Sequence, residues 1–277
     1  MTLAEIGELG LLAELERRGL AEGIDHDAAQ IDGLVVTHDT LVEGVHFRLD
    51  WLSWHELGWR VAAVNLSDLA ASGAEPLGLL VSLAAPGQTS VEDVIRLYEG
   101  IAETAVPVRG GDTTESTEVV LGVTAVGRAE RVPGRAGARP GDAVVVTGPL
   151  GAAGAAFRAG RYARPPLRIR EGRTLARHAH AMLDLSDGLG VDVAHVARRS
   201  RCRIEIDLDA VPLAPGATLD DLAFGEDYEL LAAVERPGRF AVIGRCAAGD
   251  GVVFRSAGEP VQLIGWEHYS REARARS

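Results

Sequence analysis

Lysine is absent: all 28 basic residues of the 277-residue chain are arginine. A Walker A phosphate loop and a protein-kinase nucleotide site each need a lysine, so both are excluded. Schiff-base catalysis and lysine-tethered cofactors fall with them. The bias toward Arg, Ala and Gly fits a G+C-rich coding sequence. Cysteine is scarce too. Cys202 and Cys246 form neither a CxxC pair nor a zinc spacing, and they read as reduced, small apolar residues. No apolar run reaches the ~18 residues of a membrane span. The opening MTLAEIGELG carries acid where a signal peptide carries base, so a cytoplasmic protein with no membrane partner is expected. Positive charge is also in deficit. With 40 acidic residues the net charge is -12, which argues against nucleic acid as a partner.

What is present suits a folded enzyme-sized chain. It is 47% hydrophobic and 25% charged, and its length fits one large domain or two ordinary ones. Apolar positions Leu3, Ile6, Leu9, Leu12 and Leu15 have helical spacing. Residues 34–37, 77–83 and 118–126 read as strands, and 54–72 and 90–104 as helices. The stretch RVPGRAGARPG (131–141) breaks the pattern and is the best domain boundary. Beyond it come a strand at 143–147, a glycine turn with an Ala-rich helix, a helix at 188–199, a strand at 202–208, and mostly strands over 228–265. The alternation predicts an α/β (α+β) architecture in two domains, 1–137 and 138–277.

Aspartates recur at apparent strand ends and turns: Asp27, Asp39, Asp112, Asp184 and Asp187, most beside hydroxyls or glycine. Turns and N-caps favour Asp on backbone grounds alone, and Asp187 ahead of the 188–199 helix reads equally well as an N-cap. Asp68 is different. It lies seven residues after Val61 and four after Val64, on or beside the apolar stripe of its helix. A carboxylate there must be paired, neutralised or bound to a cation, and capping by Ser or Asn is the plain alternative. Hard oxygen donors without nearby cysteine suit Mg²⁺ better than zinc. Several Mg²⁺ ions would also let an acidic, lysine-free protein hold a polyphosphate. The Gly110-Gly111-Asp112 stretch reads as a turn open to phosphate approach. The glycines at 148–154 lack the GxGxxG pattern of a dinucleotide site and read as a helix start against a sheet.

Five segments in order, THDTLVEGVHF (37–47), AVNLSDLAASGAEP (63–76), GGDTT (110–114), DLSDGL (184–189) and GEDYEL (225–230), resemble the thiamine-monophosphate kinase family. That family sits in the superfamily of aminoimidazole ribonucleotide synthetase. The resemblance runs over about residues 4–269. It implies an N-terminal domain whose strands build a β-barrel across a homodimer, and a C-terminal α/β domain closing the active-site cleft. It implies ATP as co-substrate, several Mg²⁺ ions and thiamine monophosphate as acceptor.

Carried over motif by motif, Asp27, Asp39, Asp68 and Asp112 match metal-binding aspartates, with Asp184 and Asp187 across the cleft. Asp39, Asp68 and Asp112 would carry the catalytic metals. Thr37 and the carbonyl of His38 fall where further metal contacts arise. Gly111, Asp112, Arg135 and Ser186 fall at nucleotide positions, with Tyr98 near the adenine. His46, Glu226 and Trp266 match positions that touch thiamine. Bland readings stand beside these: a structural His46, a turn-capping Glu226, a core Trp266, a solvated Arg135. Two positions depart from the family pattern, Asp25-His26 in place of Gly-Asp and His38 in place of a small hydroxyl residue. The implied reaction is direct in-line transfer to an already anionic phosphate, which needs no strong base. Within the superfamily a synthetase is the nearest alternative. The selenophosphate synthetases resemble the fold but use a reactive Cys or selenocysteine near the N-terminus that is not found here, and the hydrogenase-maturation relative ends in a functional Cys where this chain reads Arg-Ala-Arg-Ser, so neither is expected. A non-catalytic sensor is the alternative of another class, and turnover separates it from an enzyme.

Overall fold

The structure, a computed structural model, describes residues 2–22, 26–263 and 265. Its architecture is a two-domain mixed α/β fold built on two sheets. The first half runs α1 (Leu3–Arg17, broken at Gly7), β1 (Ala29–Ile31), β2 (Leu34–Val42), α2 (Trp54–Ala71), β3 (Glu75–Ala85), α3 (Val91–Ala102), β4 (Val108–Glu115) and β5 (Val120–Arg128). Its strands form a five-stranded sheet in the order β1-β2-β5-β3-β4, antiparallel except for the β3–β4 pair. Among the described residues this sheet is open, with β4 at one edge.

The second half runs β6 (Ala143–Val146), α4 (Ala152–Arg158), α5 (Ile169–Ala176), β7 (Ala179–Asp184), α6 (Leu189–Ser200), β8 (Arg203–Asp207), β9 (Leu230–Val234), β10 (Ala241–Ala247), β11 (Val252–Ser256) and β12 (Glu259–Val261). Its sheet has seven strands, ordered β12-β11-β8-β10-β6-β9-β7. Leu189, Val193 and Val196 of α6 cover one face. The other face packs Val145, Met182 and Leu230 against Leu175 of α5 and against Ala70 and Ala71 of α2. No helix among the described residues is long and apolar enough to cross a membrane.

Helix α2 therefore lies between the two sheets. That position explains its sequence. A helix buried on nearly every side cannot be amphipathic, and most of its residues are buried, including Arg60, Asn65 and Ser67. Ser53 caps it, accepting from the Glu56 N–H, and Glu56 closes the capping box. Gly58 and Gly100 let α2 and α3 cross closely, since a Cβ on either would fall 1.9 Å from a carbonyl oxygen of the facing helix.

Two expectations are corrected. Asp39 is not at a strand end, because β2 continues to Val42. Gly110-Gly111-Asp112 is not a turn but part of β4, in register with Leu80, Val81 and Ser82. Gly111 is required there by close approach: with φ +154°, a Cβ would lie 1.7 Å from the Val81 carbonyl oxygen.

Candidate active site

A cavity of about 970 Å³ opens between the two halves. One end is built from carboxylates. Asp68 comes from the last turn of α2, Asp184 from the end of β7, and Asp27 from the segment before β1. Each offers an oxygen, and these three atoms lie within 4.8 Å of one another. Hydroxyls hold the carboxylates in place. Thr37 Oγ1 donates to Asp68 Oδ2 and lies 3.1 Å from the Asp27 carbonyl oxygen. Ser67 Oγ donates to Asp184 Oδ2 at 2.6 Å. Arg135, in the segment joining the halves, donates Nε and Nη2 to Asp27 Oδ1 at 2.9 and 2.6 Å.

Asp39 reaches the same cavity from β2. Its N–H donates to Asn65 Oδ1 at 3.0 Å, and Asn65 Nδ2 donates to the Val61 carbonyl at 2.9 Å. One amide thereby locks strand to helix beside the carboxylates.

The cluster resists ionisation. Burial first, then the charge of Asp27, pushes the Asp184 carboxyl up to about 8. Asp68 is raised well above the usual carboxylate range by burial and then by Asp39 and Asp184. Asp27 and Asp39 are raised as well, burial again leading. Arg135 supplies one guanidinium against this set, so the deficit is of positive charge. Buried oxygen donors around a positive-charge deficit fit a hard divalent cation such as Mg²⁺.

The other end of the cavity is aromatic. Trp51 lies 5.2 Å from Phe157 and 5.6 Å from Tyr162, ring centre to ring centre, and Phe157 lies 4.9 Å from Phe224. Arg48 sits over Trp51. Glu226 and Tyr228 line this end as well. His46 Nδ1 accepts the Val42 N–H at 3.1 Å, which in the neutral ring places the proton on Nε2.

The cavity thus brings together Asp27, Thr37, His38, Asp39, His46, Asp68, Arg135, Asp184, Ser186, Asp187 and Glu226. The imidazole of His38 is engaged by Thr124 and Thr40. Gly111 and Asp112 are elsewhere, on exposed β4. The register runs Thr40–Gly122–Ser82–Asp112, so Asp112 stands three strands from Thr40, about 14 Å. Tyr98 is on α3, packed at the margin of the first core and outside the cavity lining. Trp266 lies outside the described residues. The N-cap of α6 is Gly188 rather than Asp187.

Several residues at or beside the site are not singled out by sequence pattern. Asp192 is buried in the first turn of α6, accepts the Asp187 N–H at 3.1 Å, and is raised by burial and by Asp187. The signal for it is an acid between Leu189 and Val193 on a buried face, the same anomaly that marks Asp68. Arg60 is a second buried charge on α2. The aromatic wall has no local signal, because its members are dispersed from residue 51 to residue 224.

The chain matches the AIR synthase related protein family, N-terminal domain over residues 25–129 and C-terminal domain over residues 139–249. A thiamine-monophosphate kinase of Aquifex aeolicus is 33% identical, over 97% of this chain and 100% of the relative. The chain belongs to the thiamine-monophosphate kinase family. A member from Halobacterium salinarum is 34% identical over 90% of this chain and 96% of its own. Among solved structures, AaThiL complexed with AMPPCP and TMP superposes with a TM-score of 0.87 at 32% identity, covering 97% of this chain and 99% of that one. The fold extends to the hydrogenase maturation protein HypE of E. coli, with a TM-score of 0.71 at 22% identity, a likeness of fold alone.

Proposed function

We propose that this protein is a thiamine-monophosphate kinase, which uses ATP to phosphorylate thiamine monophosphate to thiamine diphosphate. Family membership supports the activity. The observation that carries it at the level of residues is a single cavity with buried carboxylates at one end and an aromatic wall at the other. The two ends match the two chemistries of the acceptor, a phosphate and a cationic thiazolium ring.

The transfer is direct and in line, from the γ-phosphate of ATP to the terminal phosphate oxygen of thiamine monophosphate. The acceptor is already anionic, so the chain supplies position and charge rather than a strong base. Asp27, Asp39, Asp68, Asp184 and Asp187, with Thr37 and the His38 carbonyl, would hold Mg²⁺. When bound, Mg²⁺ neutralises the facing phosphates and stabilises the charge that develops between them. Arg135 offsets Asp27 and, with Ser186, faces the nucleotide. Trp51, Phe157, Tyr162 and Phe224 stack on the organic part of the acceptor and exclude water. A desolvated cation over such a face gains up to about 2 kcal/mol. His46 lines the same end, and Glu226 offers acceptor oxygens there.

The reading includes a division near residue 137, a cytoplasmic setting and a homodimer. Support for the dimer lies in β4, which is exposed at all of its eight residues and, among the described residues, unpaired along one edge, an open template for a second chain. Leu80 on the same sheet is 43% exposed. In this arrangement Gly111 and Asp112 complete the partner's cavity rather than their own, and the joined sheets form the barrel.

The test is product analysis. Incubation with Mg·ATP and thiamine monophosphate should yield thiamine diphosphate and ADP in equal amounts, and Asp68→Asn should abolish both. Binding of both ligands without thiamine diphosphate would make the protein a sensor and defeat the proposal.

A further inference from the structure

Arg60 is a buried charge that the reaction as described does not use. It is 3% exposed on a helix packed between two sheets. An isolated guanidinium there would be strongly destabilising, so its surroundings should compensate it. They do so in one direction only. Arg60 Nη2 lies 2.5 Å from Glu226 Oε1, and its guanidinium carbon stands 5.0 Å from the centre of the Tyr162 ring. Both partners belong to the second half of the chain, and both line the aromatic end of the cavity.

The contact is close but not an aligned fork. Among the described residues, Nε and Nη2 of Arg60 have no hydrogen-bond partner of good geometry, although both are buried. The guanidinium therefore holds Glu226 by charge and proximity at one oxygen. A carboxylate has about four lone-pair sites, so accepting capacity remains for a ligand.

Glu226 needs such a hold. Its backbone is left-handed (φ +59°), as are those of Gly225 (φ +85°) and Tyr228 (φ +51°). A non-glycine residue rarely adopts that conformation unless its surroundings impose it. Two backbone bonds secure the loop, Glu226 N–H to Ser186 O at 2.8 Å and Tyr228 N–H to Leu185 O at 2.9 Å. Neither fixes the side chain. The preceding residue of α2, Trp59, holds the segment that follows Tyr162. Trp59 Nε1 donates to the Pro165 carbonyl at 3.0 Å, and Arg164 stacks on the Trp59 ring at 3.7 Å. Adjacent positions of one helix thus tie down both the carboxylate and the segment bearing the aromatic ring.

We propose that Arg60 is a positioning residue for the acceptor: it fixes the Glu226 carboxylate at the aromatic end of the cavity, in the orientation that receives the organic part of thiamine monophosphate. This rests on the kinase reading above. The Arg60–Glu226 pair is neutral as a unit, so the thiazolium cation is drawn chiefly by the ring faces. Glu226 then serves as a placed hydrogen-bond acceptor for the amino group of the pyrimidine. Because the cation and the carboxylate of the pair come from different halves, recognition of the organic group depends on the alignment of the halves.

The test is steady-state kinetics on Arg60→Met, Arg60→Lys, Glu226→Gln and the double variant Arg60→Met/Glu226→Gln, with each substrate varied separately. Arg60→Met should raise KM for thiamine monophosphate by about 10- to 100-fold, leave KM for ATP within about twofold, and change kcat little. Arg60→Lys, which keeps the charge, should restore part of the loss. The double variant should be no worse than the worse single one, because both remove the same interaction. Equal rises in both KM values, or losses that multiply in the double variant, would overturn the proposal and leave Arg60 a structural residue. If Arg60→Met does not fold, Arg60→Lys decides: a higher KM for thiamine monophosphate alone supports the proposal, and an unchanged one overturns it. A wild-type protein that makes no thiamine diphosphate overturns the kinase reading, and this inference with it, before any variant is compared.

Discussion

Replacing Asp68 by Asn should make the metal-free protein more stable while destroying its function. Three carboxylate oxygens within 4.8 Å repel one another when ionised. At that separation and an effective dielectric of 20, each like-charge pair costs about 3.5 kcal/mol. Shared protons relieve part of this, as the upward shifts of Asp68 and Asp184 indicate. A net gain of about 1–3 kcal/mol at pH 8 is therefore expected from removing one member. The substitution is nearly isosteric, and Asn retains an oxygen to accept from Thr37. For a chain of this size the gain corresponds to a Tm rise of roughly 2–10 °C. The assay is a pair of thermal melts, one in chelator and one in millimolar Mg²⁺. Wild type should gain stability from Mg²⁺, and Asp68→Asn should gain little. Turnover of the variant should fall by at least about 100-fold, the usual scale for a lost electrostatic group. A lower Tm for Asp68→Asn in chelator, or equal Mg²⁺ increments in both proteins, would refute the reasoning.

The same cluster sets a pH dependence. Asp184 is raised from 3.8 to about 8 in the folded chain, so the native state binds the extra proton. Its stabilising contribution is full below pH ~4 and is lost as pH rises toward 8; in chelator, Tm should fall across that range less steeply for Asp184→Asn than for wild type. If Asp112 serves the partner's cavity, inactive Asp112→Asn and inactive Asp68→Asn should regain activity when co-refolded, since a mixed dimer has one intact site; no recovery would place Asp112 in its own cavity or outside the reaction. Phe157→Ala should raise KM for thiamine monophosphate about tenfold by opening the wall that Trp51 and Phe224 share, with KM for ATP unchanged, and a shift in the ATP constant alone would remove the wall from acceptor binding.

The parts of the site legible in the sequence are those where one residue contradicts its local pattern. Asp68 is an acid on an apolar helix face, and it proves to belong to the carboxylate cluster. The strand expected at 34–37 begins where β2 begins, because its apolar residues are consecutive. Strand β4 is not legible, since every residue of VRGGDTTE is exposed and no period of two develops. Its extended form is imposed by β3, through backbone bonds that side chains do not announce. The aromatic wall is hidden for another reason. Trp51, Phe157, Tyr162 and Phe224 belong to no common element and meet only after the two halves close. Arg60 escapes notice because arginine is the chain's sole strong cation, so one more arginine on a helix carries no signal.

Helix α2 passes both ends of the cavity. Arg60 stands beside the aromatic end, and Asp68 at the carboxylate end is eight residues further along. At 1.5 Å per residue that spacing is about 12 Å, and a helix clamped between two sheets does not stretch. The backbone thus acts as a gauge. On the proposed function it would measure the acceptor from ring to phosphate, so a compound with the right ring and a longer or shorter tether would seat its ring and miss the transfer point. Length discrimination is then a property of a rigid rod between two walls, and it needs no contact with the tether itself.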